Sequence, residues 1–190
     1  DPLDQFKVWL NEAILSQVQE PTALVLSTVS ADSRPSARVV LLKEVSSDGF
    51  VFFTNYDSRK GKQLADNPHA SMTFFWAELE RQVRIEGIIG KVTTDMSDAY
   101  FHSRPRGSQV GAWASPQSRE ISSREELENA EAKFESDFAN LEMVPRPEHW
   151  GGYVLKPERI EFWQGRPNRL HDRIVFERTD AHWARKRLAP

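Results

Sequence analysis

Apolar residues recur at three- and four-residue steps at the start of the chain, where Leu3, Phe6, Trp9, Leu10, Ala13, Ile14 and Val18 form one stripe and predict an amphipathic helix. The period then changes. β-Branched and aromatic runs at Ala23–Ser30, Ala37–Val45 and Phe50–Asn55, separated by Asp32-Ser33-Arg34-Pro35 and Ser46-Ser47-Asp48-Gly49, predict antiparallel strands joined as hairpins. Ser58 is placed to cap a short helix that runs to about Asn67 and is stopped by Pro68. Ala70–Trp76 and Arg81–Thr93 read as a further strand pair, with a bulge or close backbone approach expected at Gly87 and Gly90. A helical stretch follows from Thr94 through Tyr100. A longer helix begins at Ser122 or Ser123, with Glu125 and Glu126 placed for a capping box and a buried stripe expected at Leu127, Ala130, Phe134, Phe138 and Leu141. Beyond Val144-Pro145-Arg146-Pro147, strand-like runs occupy Tyr153–Lys156, Arg159–Gln164 and Arg173–Arg178, with a last short one near Trp183. Many short strands in hairpin order, with helices inserted rather than alternating, predict a mainly β (α+β) antiparallel barrel with added helices instead of a parallel α/β sheet.

The length, 190 residues, fits one domain with a proper core. A formal net charge of −3 makes any arginine cluster a local feature, which argues against a nucleic-acid partner. With 0 cysteines, disulfides, thiolate catalysis and cysteine-ligated metal are excluded, and no two histidines have ligand spacing, so no metal site is expected. No apolar run approaches the roughly 18 residues of a membrane span and no signal segment opens the chain, which is consistent with a cytoplasmic protein. Asp1 is an unusual first residue, so further residues are expected ahead of it.

Against this background the basic runs stand out. Glu161 to Arg173 reads Glu-Phe-Trp-Gln-Gly-Arg-Pro-Asn-Arg-Leu-His-Asp-Arg, and others lie at Arg38–Lys43, Ser58-Arg59-Lys60 and Ser103-Arg104-Pro105-Arg106-Gly107-Ser108. A turn needs only Gly, Pro and Asn to reverse the chain. The surplus of fixed donors beside a flat aromatic points to flat, anionic ligands, and the number of runs to more than one phosphate. Taken singly, each arginine is most simply a surface ion pair. If Arg38–Lys43 is all strand, alternation puts Arg38, Val40 and Leu42 on one face and Val39, Leu41 and Lys43 on the other. Phe162 and Trp163 also alternate, so one of them faces the core. Arg169 and His171 are two apart and would point the same way on an extended segment, unless His171 serves structure by bonding Asp172.

These runs, together with Phe53-Thr54-Asn55, Arg81-Gln82-Val83, Tyr100-Phe101-His102-Ser103-Arg104-Pro105, Gln117-Ser118, Trp150-Gly151-Gly152 and Arg187-Leu188-Ala189-Pro190, resemble the pyridoxine (pyridoxamine) 5'-phosphate oxidase family over nearly the whole chain. The resemblance implies an FMN-binding split barrel over residues 1–190, with a family-specific segment from about 145 to 190, that forms a homodimer with flavin at the subunit interface. It implies oxidation of pyridoxamine or pyridoxine 5'-phosphate to pyridoxal 5'-phosphate, with oxygen as acceptor and hydrogen peroxide as product. FMN would be held by Arg38, Val39, Val40, Leu41, Leu42, Lys43, Phe53, Thr54, Arg59, Lys60, Gln82, Gln117, Ser118, Trp163 and Arg173. The substrate would be held by Lys43, Tyr100, Arg104, Ser108, Arg169, Leu170 and His171, with Arg169 and His171 nearest the chemistry. Pro116 departs from the family's pattern beside Gln117. The alternatives are a split-barrel FMN oxidase of another ring, such as those of phenazine assembly, and a non-catalytic flavin or pyridoxal-phosphate carrier.

Overall fold

The computed structural model describes residues 1–180 and 182–190. Helix α1 (Pro2–Leu15) starts where the Asp1 carboxylate accepts the Leu3 N–H at 2.7 Å and Pro2 opens the first turn. Its stripe is real: Phe6 is fully buried and meets Phe50 and Phe74 at ring-centroid distances of 4.9 Å each. Only Ile14 departs from it, at 51% exposed.

Among the described residues nine strands form one antiparallel sheet: β1 (Ala23–Val29), β2 (Pro35–Leu41), β3 (Glu44–Ser46), β4 (Gly49–Asn55), β5 (His69–Trp76), β6 (Arg81–Lys91), β7 (Trp150–Gln164), β8 (Asp172–Arg178) and β9 (Trp183–Leu188). The order is β2-β1-β5-β6-β7-β4-β3, with β8 beside β7 and β9 beside β8. β7 is the spine. One edge pairs with β6 along its length, and the other pairs with β4 at residues 150–155 and with β8 at residues 159–164, so the sheet divides and curls into a half-barrel.

Two strand expectations are corrected. The run Ala37–Val45 breaks after Leu41, because the Leu42 N–H turns to the Thr22 carbonyl and the Lys43 N–H to the Val51 carbonyl, both at 2.9 Å. Strand alternation therefore does not reach Lys43. Conversely, the two runs on either side of Pro157 are one strand. Pro157 sits opposite Gly87 where the register shifts, so its missing N–H costs no ladder bond there. Gly87 is needed at this bulge, since a Cβ would lie 2.1 Å from the Lys156 carbonyl oxygen, whereas Gly90 has open space around it and no bulge.

Helix α2 (Arg59–Asp66) is capped by buried Ser58, whose Oγ accepts the Gly61 N–H at 3.3 Å. α3 (Thr94–Ser103) is capped by Thr93, and α4 (Arg106–Ala114) follows directly; the hydrophobic pattern does not reveal α4 because Gly107 and Gly111 interrupt it. α5 (Arg124–Asp137) is capped by Ser123, with the Glu126 carboxylate accepting the Ser122 N–H at 2.9 Å. Its expected buried stripe is only half-buried, and Leu141 beyond it is exposed. The reason is that Phe134 and Phe138 pack on Trp113 of α4, at 5.7 and 5.5 Å, rather than on the sheet. A large core fills the half-barrel, and a smaller one built on Phe101, Val110, Val144 and Trp150 lies under α3 and α4.

Candidate functional site

Arg38 shares a face of β2 with Ser36 and Val40, as alternation requires. Its guanidinium donates to Thr28 Oγ1 and Ser36 Oγ, each at 2.6 Å, and to the Leu26 carbonyl at 3.2 Å. Gln63 Oε1 braces this group by accepting from Thr28 Oγ1 at 2.6 Å and Ser36 Oγ at 2.8 Å. Every one of these acceptors is neutral. Arg59 and Lys60 occupy the first turn of α2, where the helix dipole favours an anion. Lys60 Nζ donates to Gln117 Oε1 at 2.7 Å and to Ser58 Oγ at 3.2 Å. The neighbouring acid, Asp57, faces Arg119 instead, at 4.0 Å. Burial, and after it the charge of Arg38, pulls Lys60 down to a pKa of about 8. Burial, and after it the charge of Arg59, draws Arg38 below its ordinary value. Among the described residues no carboxylate pairs with Arg38, Arg59 or Lys60, so nothing offsets the effect of burial on Arg38 and Lys60.

Beside this cluster lies an open cleft of about 470 Å³ that brings Lys43, Tyr100, Arg104 and Ser108 together. Arg104 lies on the rings of the second core, its guanidinium carbon 4.6 Å from the Trp150 centroid and 5.8 Å from that of Phe101. Its Nη1 is buried and, among the described residues, has no hydrogen-bond partner. Burial lowers its pKa, with Tyr100 acting weakly the other way. Lys43 Nζ is 5.9 Å from the Tyr100 centroid, and Ser108 stands in the first turn of α4. Tyr100 in turn is stacked on Phe53 at 4.0 Å, and Phe53 on Trp150 at 5.7 Å.

Val39, Val40, Leu41, Thr54, Lys60 and Gln117 complete the rim, so the Pro116 departure leaves Gln117 in place. Leu42 differs: its side chain is in the core at 4% exposed, so only its main chain is available to a ligand. Ser118 is exposed, with φ 70°, and does not line the cleft. The floor residue Trp150 was legible only as part of a motif, because a tryptophan opening a strand reads as core.

The remaining candidates lie elsewhere. Phe75, Gln82, Trp163 and Arg173 are successive register partners across β5, β6, β7 and β8, so they form one row on the outer face. Phe162 takes the core and Trp163 is half-buried, as alternation requires. Arg173 donates to Glu161 Oε1 at 2.8 Å and to the Ala189 carbonyl at 3.0 Å. The His171 ring lies 4.6 Å from that of Trp163, and its Nδ1 accepts the Arg166 N–H at 3.1 Å. Asp172 is engaged by Arg166 and Arg187, not by His171.

The extended segment expected around Arg169 is not formed. Asn168 and Arg169 have φ of 59° and 62° in a tight 3₁₀ turn over Pro167–Arg169, so strand parity does not align Arg169 with His171. Arg169 and Leu170 are exposed. Neither they nor the Gln82 row line the cleft that holds Lys43 and Arg104.

A curled antiparallel half-barrel of this kind has the FMN-binding split-barrel fold, and among the described residues it carries two sets of cations short of counter-charge. Among solved structures, the chain matches PhzG from Burkholderia lata 383, determined with tetrahydrophenazine-1-carboxylic acid, with a TM-score of 0.94 and 33% identity over 100% of this chain and 93% of that one. A pyridoxamine 5'-phosphate oxidase-related FMN-binding protein from Nostoc punctiforme matches at TM-score 0.77 and 18% identity over 100% and 98% of the two chains, which bears on the fold alone. The family model described as pyridoxamine 5'-phosphate oxidase matches residues 10–136, and the one described as pyridoxine 5'-phosphate oxidase C-terminal dimerisation region matches residues 150–190. Relatives named pyridoxine/pyridoxamine 5'-phosphate oxidase include those of Thermosynechococcus vestitus, at 57% identity, and Salinibacter ruber, at 52%, each over 100% of this chain and 89% of the relative. The chain belongs to the pyridoxamine 5'-phosphate oxidase family, and it is an oxidoreductase. No helix among the described residues is long and apolar enough to cross a membrane.

Proposed function

We propose that this protein uses FMN to oxidise pyridoxamine 5'-phosphate or pyridoxine 5'-phosphate to pyridoxal 5'-phosphate, with oxygen as acceptor and hydrogen peroxide as product. The observation that carries this reading is the pair of adjoining cationic sites, one for each phosphate. Arg38, Arg59 and Lys60 form a cluster in which burial, and after it the charge of a neighbouring arginine, lowers the pKa of Arg38 and of Lys60. Arg104 brings a buried, unpartnered Nη1 to the second site, together with Lys43, Tyr100 and Ser108. A phosphate monoester, with about −1.5 to −2 charges and three acceptor oxygens, satisfies either.

FMN fits the residues present. Arg38, Arg59 and Lys60 would hold its phosphate with Gln117 and Ser118, while Gln82, Trp163 and Arg173 would meet its ring. When bound, FMN supplies the two-electron acceptor for the substrate carbon and returns the electrons to oxygen. The protein's own part is placement. Lys43, Tyr100, Arg104 and Ser108 anchor the substrate phosphate, and Arg169 and His171 hold the pyridine ring so that a collision becomes a near-attack geometry. Because Nδ1 of His171 accepts an N–H, its neutral ring carries the proton on Nε2, where it can donate to a ring substituent.

Two copies are part of this reading. Trp150, on the cleft floor, and Trp163, on the outer row, stand near the two ends of β7. At about 3.3 Å per residue they are roughly 40 Å apart along the strand, far more than a mononucleotide spans. A homodimer that sets the cleft of one copy against the Trp163 face of the other joins the halves, in keeping with the match to a dimerisation region.

The likeness to PhzG favours one competing reading, an oxidase of a different ring. Identity of 57% to a pyridoxine/pyridoxamine 5'-phosphate oxidase against 33% to PhzG, together with the second cationic clamp, weighs against it. The test is to load the protein with FMN, add pyridoxamine 5'-phosphate without oxygen and follow the oxidised-flavin absorbance. Rapid bleaching, reversed by air with pyridoxal 5'-phosphate formed, is the expected result; persistent colour would reject the substrate assignment.

A further inference from the structure

Glu161 is 1% exposed and sits on the outer face of β7, two residues before Trp163. Its Oε1 accepts from Arg173 Nε at 2.8 Å, its Oε2 accepts from Arg159 Nη2 at 3.1 Å, and Arg84 Nη2 stands 3.9 Å from Oε2. Burial alone would push this carboxyl up, yet the arginines, Arg173 foremost, hold it below its ordinary value, so it is a buried anion. Such a group is a poor stabiliser. Replacing a buried ion pair by apolar residues is often neutral or favourable, and Val175, its register partner on β8, is itself a fully buried hydrocarbon. The use of the carboxylate is therefore to be sought in what it holds.

What it holds is the orientation of Arg173. An arginine has five N–H donors in a rigid plane. Nε is committed to Glu161, and Nη1 donates to the carbonyl of Ala189 beyond β9. Two bonds to one planar group, from a buried carboxylate on one side and the end of the chain on the other, fix its direction and leave Nη2 without a protein acceptor among the described residues. Glu86 pairs with Arg84 at 3.2 Å and with Arg159 at 2.9 Å, so of the three arginines it is Arg173 whose charge Glu161 answers. We propose that Glu161 is a positioning residue: it aims the Arg173 guanidinium at the flavin ring and balances its charge. This rests on the reading that Arg173 meets the ring.

The test is a double-mutant cycle read by FMN affinity and by the visible absorbance of bound flavin, on the full chain. Arg173→Ala should weaken FMN binding about tenfold or more, the scale of a hydrogen bond from a charged donor, and shift the flavin bands. Glu161→Gln keeps the shape and removes the charge. It should weaken binding by a similar factor and shift the bands the same way, and the double variant should bind no worse than Arg173→Ala alone. A purely structural Glu161 would instead lower the melting temperature of the FMN-free protein and leave the affinity of the folded protein unchanged. Should Glu161→Gln fail to fold, Glu161→Asp retains the charge but withdraws the carboxylate by one carbon, and the same coupling to Arg173→Ala is expected. Folded Glu161 variants with wild-type FMN affinity and spectrum, beside an impaired Arg173→Ala, would overturn the proposal alone. An unimpaired Arg173→Ala would overturn the placement of Arg173 at the ring beneath it.

Discussion

Cofactor binding should be coupled to protonation of Lys60. In the free protein its ammonium is half-buried and faces Arg38 without a carboxylate, and its pKa falls to about 8. About nine-tenths of the free sites are then charged at pH 7 and only about one-tenth at pH 9. A bound phosphate favours the charged form and raises the pKa again. The sign follows: with rising pH the free site loses its proton before the occupied site does, so binding above pH 8 takes up a proton and FMN affinity falls. Below about pH 8 Lys60 contributes no slope, since it is charged in both states. Above it, Kd should rise by up to about tenfold per pH unit, equivalent to about 1.4 kcal/mol. The second ionisation of the phosphate, near pH 6, is complete throughout this range. Isothermal titration calorimetry at pH 9 in two buffers of different ionisation heat should show nearly one proton taken up, and Lys60→Met should bind more weakly at pH 7 without that uptake. A Kd that stays flat from pH 7.5 to 9, or a proton uptake retained in Lys60→Met, would refute the reasoning.

Three other outcomes follow from the geometry. Arg104→Ala should raise KM for pyridoxamine 5'-phosphate by roughly 10- to 150-fold, the value of a charged hydrogen bond, while FMN affinity by fluorescence titration changes little. Arg169→Ala should slow anaerobic flavin reduction, measured by stopped flow, by about 100-fold while FMN remains bound; an unchanged rate removes Arg169 from the mechanism. Gly152→Ala places a Cβ 2.6 Å from Val92 and 2.7 Å from the Phe53 ring, so it should cost about 1–3 kcal/mol of stability and lower Tm by several degrees in calorimetry.

Local physics made much of this protein readable in its sequence. The Ser58 cap, the α1 stripe and the Gly87 bulge follow from residue chemistry within a few positions, and all three are formed. The breaks did not follow, because they depend on distant acceptors: Leu42 and Lys43 leave β2 for the Thr22 and Val51 carbonyls, and Pro157 stays within β7 only because Gly87 faces it. The residues proposed to meet phosphate were legible as excess charge, and Lys43, Lys60, Tyr100, Arg104 and Ser108 do converge on one cleft. The supporting residues were not. Gln63 reads as an ordinary polar helix residue until it is seen bracing Thr28 and Ser36 behind Arg38, and Glu161 reads as one acid among many until its burial is known. Strand parity does not hold at Arg169, where two consecutive left-handed residues replace an extended chain.

The stack of Phe53, Tyr100 and Trp150 gives the cleft its own optical probe. An indole in contact with Arg104, in the wall where the substrate phosphate is expected, lies close enough to an absorbing ligand to lose its emission to it. Loading and emptying of the substrate site can then be timed without a label, and a Trp150→Phe comparison separates that signal from the emission of the chain's five other tryptophans.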